Sequence, residues 1–264
     1  MKMFKDLLPQ IVTIARDAGA RILEVYATDF DVEHKGDESP LTAADLAAHR
    51  CIVDGLAKLD VSYPVLSEES REQPFAERAD WNPYWLVDPL DGTKEFVNRN
   101  GEFTVNIALI QDHAPVLGVV HVPVTGVTYF AANDHGAFKQ DGEAAPTPIS
   151  VHDQPRTPRV VGSRSHRGEL VDKYLANLGE HEMVPMGSSL KFCVVAEGGA
   201  DVYPRLGLTS EWDTAAAHAV VNAAGGRVVQ LDGRDLDYNA KEDILNPHFV
   251  VLGNPTRAWL DYLP

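Results

Sequence analysis

The sequence predicts an α/β chain built in two halves, and three observations carry that reading. Apolar residues recur at helical spacing over residues 4–26, the pattern changes to short β segments separated by turn residues from Phe103, and strands and helices alternate from Arg159 onward. The 264 residues, 44% of them apolar, are enough for one large core or two smaller fused ones. A proline-rich piece at 144–158 is the natural boundary. Residues 1–150 are expected to form an N-terminal α+β half with an antiparallel sheet and a metal-binding loop. Residues 151–264 then form a C-terminal α/β half, the two packed as one functional unit.

Charge and composition exclude several classes. Lys plus Arg total 23 against 39 Asp plus Glu, a formal charge of -16, which argues against nonspecific nucleic-acid or anionic-membrane binding. Lys5, Asp6, Gln10, Arg16 and Asp17 interrupt the first segment, so neither a signal peptide nor a spanning helix is expected. Only Cys51 and Cys193 are present, both in apolar periodic segments, which reads as two buried reduced thiols in a cytoplasmic protein.

In chain order, Phe4, Leu7, Leu8, Ile11, Ala15, Ala18 and Ile22 line one face of a long helix over 4–26. Residues 30–35 alternate as a strand. Thr42 reads as an N-cap with Asp45 three residues on, and a helix follows to about Leu59. Asp45 is then either a first-turn acid complementing the helix dipole or a carboxylate aimed into a site. Residues 64–67 form a brief strand ending in Glu68-Glu69, which are solvated acids unless other acids lie nearby.

The run Tyr84-Trp85-Leu86-Val87 is too short for a helix and reads as a buried strand delivering Asp88 at its carboxyl end, where ligands bind in open α/β sheets. Pro89 lacks a backbone donor, so the chain is expected to leave the ladder there. Gly92 permits close backbone approach, and Thr93 either caps a turn or hydrogen-bonds a bound group. If a helix opens here, its free N–H groups face an anion. Three β segments over 104–131 form a meander, with residues 136–138 extending it. In the second half, strands at 159–162 and 183–185 alternate with helices at 169–178 and after Gly187-Ser188-Ser189. A strand at 200–204, an Ala-rich helix at 212–224 closed by Gly225-Gly226, and strands at 227–231 and 249–252 complete the chain.

Four acids thus fall at element ends: Glu68, Asp88, Asp91 and Asp213. Converging carboxylates repel strongly without cations, and oxygen donors without Cys or His suit Mg²⁺, or Mn²⁺ in its place. Asp88 could bridge two ions, with the Leu90 carbonyl offered as the chain turns. The aspartyl-phosphate signature Asp-x-Asp-Gly-Thr is a rival, but Asp88 and Asp91 are three apart and lie a third of the way along the chain.

Glu68-Glu69, the run from Trp85 to Thr93, and Trp212-Asp213-Thr214-Ala215-Ala216 together resemble the three signatures of the inositol monophosphatase superfamily, across the whole chain. Asp91-Gly92-Thr93-Lys94-Glu95-Phe96, Ser163-Arg164-Ser165-His166, the run from Gly187 to Phe192 and Tyr203-Pro204-Arg205 resemble its bacterial 3'(2'),5'-bisphosphate nucleotidase branch. Inositol monophosphatases usually carry Thr-Asn where this chain has Lys94-Glu95.

The resemblance implies a layered αβαβα sandwich of the inositol monophosphatase and sugar phosphatase type. It implies Mg²⁺-dependent removal of the 3'-phosphate from adenosine 3',5'-bisphosphate (PAP), giving AMP and phosphate, with the sulfonucleotide PAPS as a related substrate. Carried over by position, Glu68, Asp88 and the Leu90 carbonyl hold one ion, and Asp88, Asp91 and Asp213 a second. A weaker third ion near Glu68 and inhibition by Li⁺ belong to the same implication. Thr93 with Asp45 orients or deprotonates the attacking water, and no covalent intermediate forms.

Substrate contacts are expected from Glu68, Asp91, Asp213 and Leu90, from Gly92 and Thr93, and from Ser188, Ser189, Lys191 and Arg205. The two serines could equally cap a helix, and Lys191 could be solvated. His166 is a further candidate for the nucleoside. The partner is a small phosphonucleotide and not nucleic acid, the chain is a monomer or homodimer, and its place is the cytoplasm or, peripherally, the cytoplasmic face of the inner membrane. The alternatives are an inositol monophosphatase or sugar bisphosphatase, and a nonenzymatic phosphonucleotide sensor, which would lack a metal acid or the Thr.

Overall fold

The computed structural model describes residues 3–28, 40–71, 73–152, 157–163 and 168–264. The expected strand at 30–35 and His166 lie outside them. After a 3-10 turn at Phe4–Asp6, the chain forms α1 (Leu8–Tyr26) and α2 (Pro40–Leu56). Then come β1 (Val65–Ser67), α3 (Phe75–Arg78), β2 (Tyr84–Asp91), α4 (Thr93–Val97), β3 (Thr104–Gln111), β4 (Ala114–His121), β5 (Val127–Ala132), β6 (Gly136–Asp141) and β7 (Thr147–Ile149). The remainder is β8 (Arg159–Gly162), α5 (Glu169–Leu178), β9 (Glu182–Pro185), α6 (Leu190–Ala196), β10 (Val202–Arg205), α7 (Ala215–Ala223), β11 (Arg227–Gln230), β12 (Phe249–Leu252) and a 3-10 turn at Trp259–Tyr262.

The strands make two sheets. Seven run in sequence order from β1 to β7, antiparallel except for the parallel β1–β2 pair. Five form the second sheet in the order β11-β12-β10-β8-β9, parallel where β8 meets β9 and β10. Because both faces of β2 are covered, its apolar run is continuous, and the strand period of two divides it: Trp85 and Val87 enter the core under α1 and α2, while Tyr84 and Leu86 face the opposite layer. That layer holds α6 and α7, both buried along their lengths between the two sheets. A third core, built on Tyr174, Leu175 and Trp259, covers the far face of the second sheet with α5 and the last turn. The result is the five-layer αβαβα sandwich.

Three expectations need correction. The second helix starts at Pro40, so Thr42 lies inside it and is no N-cap; a proline at the first helical position gives up only an N–H that has no partner there anyway. The chain does not leave the ladder for good at Pro89. β2 bulges between Asp88, paired with Asn106, and Asp91, paired with Thr104, so the missing donor is absorbed and pairing resumes. The last helix begins at Ala215, which leaves Asp213 in the turn ahead of it. Both cysteines are free, Cys193 buried and Cys51 only partly so. No described helix is long and apolar enough to cross a membrane.

The layers approach closely at Gly118 in β4, where a Cβ would fall 2.1 Å from the Ala216 carbonyl oxygen and 2.8 Å from Ala219 Cβ. The small residues of α7 and the bare backbone of Gly118 therefore set the spacing of the middle layer. Gly118→Ala is expected to destabilise the protein by about 1–3 kcal/mol through overpacking. Gly207→Ala, where a Cβ meets nothing within 4 Å, is expected to be near neutral. Chemical denaturation of the two variants checks this, and equal stability of both would refute the packing account.

Candidate active site

The bulge in β2 places the first acid. Asp88 continues the face of Tyr84 and Leu86 into the middle layer and is 1% exposed, and its Oδ1 accepts the Leu90 N–H at 3.0 Å, folding the chain back on itself. Leu90 buries its side chain in the first core, so only its backbone is available to the site. Gly92 takes the left-handed conformation, φ 92°, that turns the chain from β2 into α4.

Acids from three other elements reach the same place. Burial raises Asp88 far above the usual carboxylate range, and Asp91, Glu68, Asp213 and Asp45 add repulsion. Asp213 is pushed up to about 7 by burial and then by Asp91. Asp45, buried on α2, is pushed up to about 8 by burial and by Glu69 and Glu68. Glu68 is raised too, although its side chain is largely exposed, and it lies close enough to Asp88 to share a hydrogen bond when one of the pair is protonated. For Asp91 burial is opposed by Lys191 and by the Ser189 N–H, which donates to its Oδ2.

The donors are all oxygens and their charges oppose one another, which fits a hard divalent cation. Among the described residues they face each other without closing a ready-made cage of three or more acidic, His or Cys ligands. Thr93 stands exposed at the start of α4, and no hydrogen bond joins it to Asp45.

The second group of expected residues forms a turn pressed against the first. Ser188 is left-handed at φ 40°, a strained conformation for a residue with a Cβ, and its carbonyl accepts from Lys191 Nζ at 2.8 Å. Lys191 is buried beside the Tyr203 ring rather than solvated. Ser189 does not cap α6 with its side chain. Its Oγ donates to Asn106 Oδ1 at 3.0 Å and lies 2.9 Å from Thr104 Oγ1. Arg205 Nη2 donates to the Leu208 carbonyl, while its buried Nε has no partner among the described residues.

Asp91, Gly92, Ser188, Ser189, Lys191, Arg205 and Asp213 all line one cavity of about 220 Å³. A second cavity of about 280 Å³ adjoins it, sharing Lys191, Tyr203 and Arg205, with walls from Val160, Val171, Met183 and Leu206. Several participants were not singled out from the sequence. Asn106 and Thr104 hold Ser189. Their signal was available: two polar residues at a spacing of two in an otherwise apolar strand. Glu102 accepts the Gly187 N–H at 2.7 Å, and Glu211, buried and pushed up to about 7, accepts the Asn239 N–H at 2.8 Å and braces the turn before Asp213.

A model described as the inositol monophosphatase family matches residues 5–257. The chain is 53% identical over 248 residues to the 3'(2'),5'-bisphosphate nucleotidase CysQ of Escherichia coli K12, covering 93% of this chain and 99% of that protein. The crystal structure of CysQ from Bacteroides thetaiotaomicron, titled a bacterial member of the inositol monophosphatase family, superposes with a TM-score of 0.87 at 44% identity, over 94% of this chain and 97% of that one. An inositol monophosphatase from Zymomonas mobilis shares the fold at a TM-score of 0.80 and 19% identity, over 99% of each chain.

The raised carboxyls set a pH dependence. In the metal-free chain Asp45 and Asp213 keep protons to about pH 8 and 7 when folded but lose them near 3.8 when unfolded. Over that interval the folded state binds more protons, so stability falls as pH rises. The buried His121 and His218, lowered to about 4 and 3, act in the opposite sense only below about 6.5. Stability without metal is therefore expected to fall between pH 6.5 and 8, and Mg²⁺ to raise the melting temperature more at pH 8 than at pH 6.5. Thermal melts in chelator and in millimolar Mg²⁺ at both pH values measure this; a shift of equal size at both would count against a shared cation site.

Proposed function

The chain belongs to the inositol monophosphatase family, and from that premise we propose that it is a 3'(2'),5'-bisphosphate nucleotidase, a phosphomonoesterase that removes the 3'-phosphate of PAP to give AMP and phosphate. The observation that carries the nucleotide over an inositol phosphate is the pair of adjoining cavities. One is lined by charged groups, the other by aliphatic side chains, and Lys191, Tyr203 and Arg205 stand between them. A nucleoside bisphosphate offers two phosphates and a flat apolar base to such a site, whereas a polyol has nothing to place against Val160, Val171 and Met183. The charged cavity takes walls from both sheets, which supports reading the two halves as one functional unit.

In this reading Glu68, Asp88 and the Leu90 carbonyl would hold one Mg²⁺, and Asp88, Asp91 and Asp213 a second. Bound there, the ions neutralise charge around the scissile phosphate and lower the pKa of the attacking water. The chain's own groups do the rest. Gly92 lets the backbone approach the phosphate, the Thr93 hydroxyl orients the water, and Asp45 receives its proton. The water oxygen attacks phosphorus in line, the bond from phosphorus to O3' breaks, and the departing oxygen takes up a proton from solvent. Lys191 and Arg205, with Ser188 and Ser189, hold the other phosphate; the unpartnered Arg205 Nε is suited to a charge-assisted hydrogen bond. PAPS fits the same arrangement. The complete set of acids and Thr93 favours turnover over a sensing role.

Phosphate release from PAP, PAPS, inositol 1-phosphate and fructose 1,6-bisphosphate, with and without Mg²⁺, tests the reading. PAP is expected to be the best substrate and Mg²⁺ to be required; equal rates on all four would defeat it. Asp91→Asn is expected to lower kcat by about 10²–10³-fold or more. Lys191→Ala is expected to raise KM for PAP about tenfold with a smaller change in kcat. A near-normal rate in the Asp91 variant would remove the two-ion assignment.

A further inference from the structure

One carboxylate in the cavity belongs to neither the metal set nor the phosphate-binding set. Glu95, on the first turn of α4, lines the cavity beside Gly92 and Ser188, and among the described residues its carboxylate has no hydrogen-bond donor and no cation at ion-pair distance. Its position is built rather than incidental. A Cβ on Gly187 would fall 2.8 Å from Glu95 Cγ, and a Cβ on Gly92 would fall 3.3 Å from Glu95 Oε2. Two glycines, one on the loop that follows the metal acids and one on the turn that carries Ser188, therefore leave the space this side chain occupies. Glu95 thus stands beside Gly92, the residue assigned above to the approach of the scissile phosphate.

A carboxylate is a poor neighbour for phosphate and can only accept hydrogen bonds. The one ribose donor that a nucleoside 3',5'-bisphosphate keeps is the 2'-hydroxyl, on the carbon next to the one that carries the scissile phosphate. We infer that Glu95 accepts a hydrogen bond from that hydroxyl and makes the site selective for ribose over deoxyribose. The inference rests on the nucleotidase reading and adds to it a specificity residue.

The test compares kcat/KM for PAP and for 2'-deoxyadenosine 3',5'-bisphosphate in the wild-type protein, Glu95→Ala and the isosteric Glu95→Gln. Loss of a hydrogen bond to a charged acceptor is worth about tenfold to hundredfold in such a ratio. The wild type is expected to prefer the ribonucleotide by that factor, Glu95→Ala to lose the preference, and Glu95→Gln, which keeps a neutral acceptor, to retain part of it. A purely structural role would depress both substrates together and leave the ratio intact, so an undiminished ratio in Glu95→Ala overturns the inference, as does a wild type indifferent to the hydroxyl. A wild type inert on both nucleotides but active on inositol 1-phosphate overturns it by removing the nucleotidase reading beneath it.

Discussion

Repulsion among carboxylates at the end of a buried strand is the constraint on which the rest of this structure depends. Asp88 is 1% exposed and within electrostatic reach of Asp91, Glu68, Asp213 and Asp45, an arrangement no isolated strand would sustain. What sustains it is the layering. β2 is gripped on one face by the core under α1 and α2 and on the other by the layer of α6 and α7, so its carboxyl end cannot swing into solvent to relieve the charge. The acids come from four separate elements, and the two cores on either side of the first sheet fix all four. The strain relaxes when protons or cations arrive, which is why the stability of the site and its chemistry are linked.

The layering was largely legible in the sequence, because each sheet face imprints a period. The continuous apolar run of β2, the meander that follows, and the alternation after Arg159 each reflect burial on defined faces. Boundaries were less legible. A proline or an Asp near a helix start is compatible with several starting points, so the pattern alone puts the cap at Thr42 and Asp213 inside a helix it only precedes. The strand β7 lies in the proline-rich tract, where pairing with β6 and not local preference makes the strand. Within the site, the acids could be found because ionisable residues at strand ends are conspicuous. The burial of Lys191 and the bonding of Ser189 to Asn106 could not, since they arise where segments 83 residues apart are pressed together.

Cations and acids meet in equal number along the cavity of an otherwise acidic molecule. The chain carries a formal charge of -16, which repels an anionic substrate at long range, though over a Debye length of about 8–10 Å salt screens most of that field. Lys94, Lys191 and Arg205 meet at the cavity, where screening is weakest and their charges count for most. The same acidic bulk that disfavours the substrate favours divalent cations near the surface. Capture of the anion therefore falls to a few cations close in.

Asp91 joins the two halves of the site through one carboxyl group. Its Oδ2 accepts the Ser189 N–H, while Lys191, two residues further on, lowers the cost of its charge. The pull is mutual: Lys191 is held beside Asp91, and its Nζ is satisfied meanwhile by the Ser188 carbonyl. In the proposed reading a cation at Asp91 takes up the charge that Lys191 now balances, so the lysine has more to gain from a phosphate than it had before. By reciprocity, a phosphate held at Lys191 leaves Asp91 more exposed to its neighbours and so more in need of the cation. Metal and nucleotide would then assist each other's binding through a hydrogen bond and a charge pair already in place, without any movement of the layers that carry them.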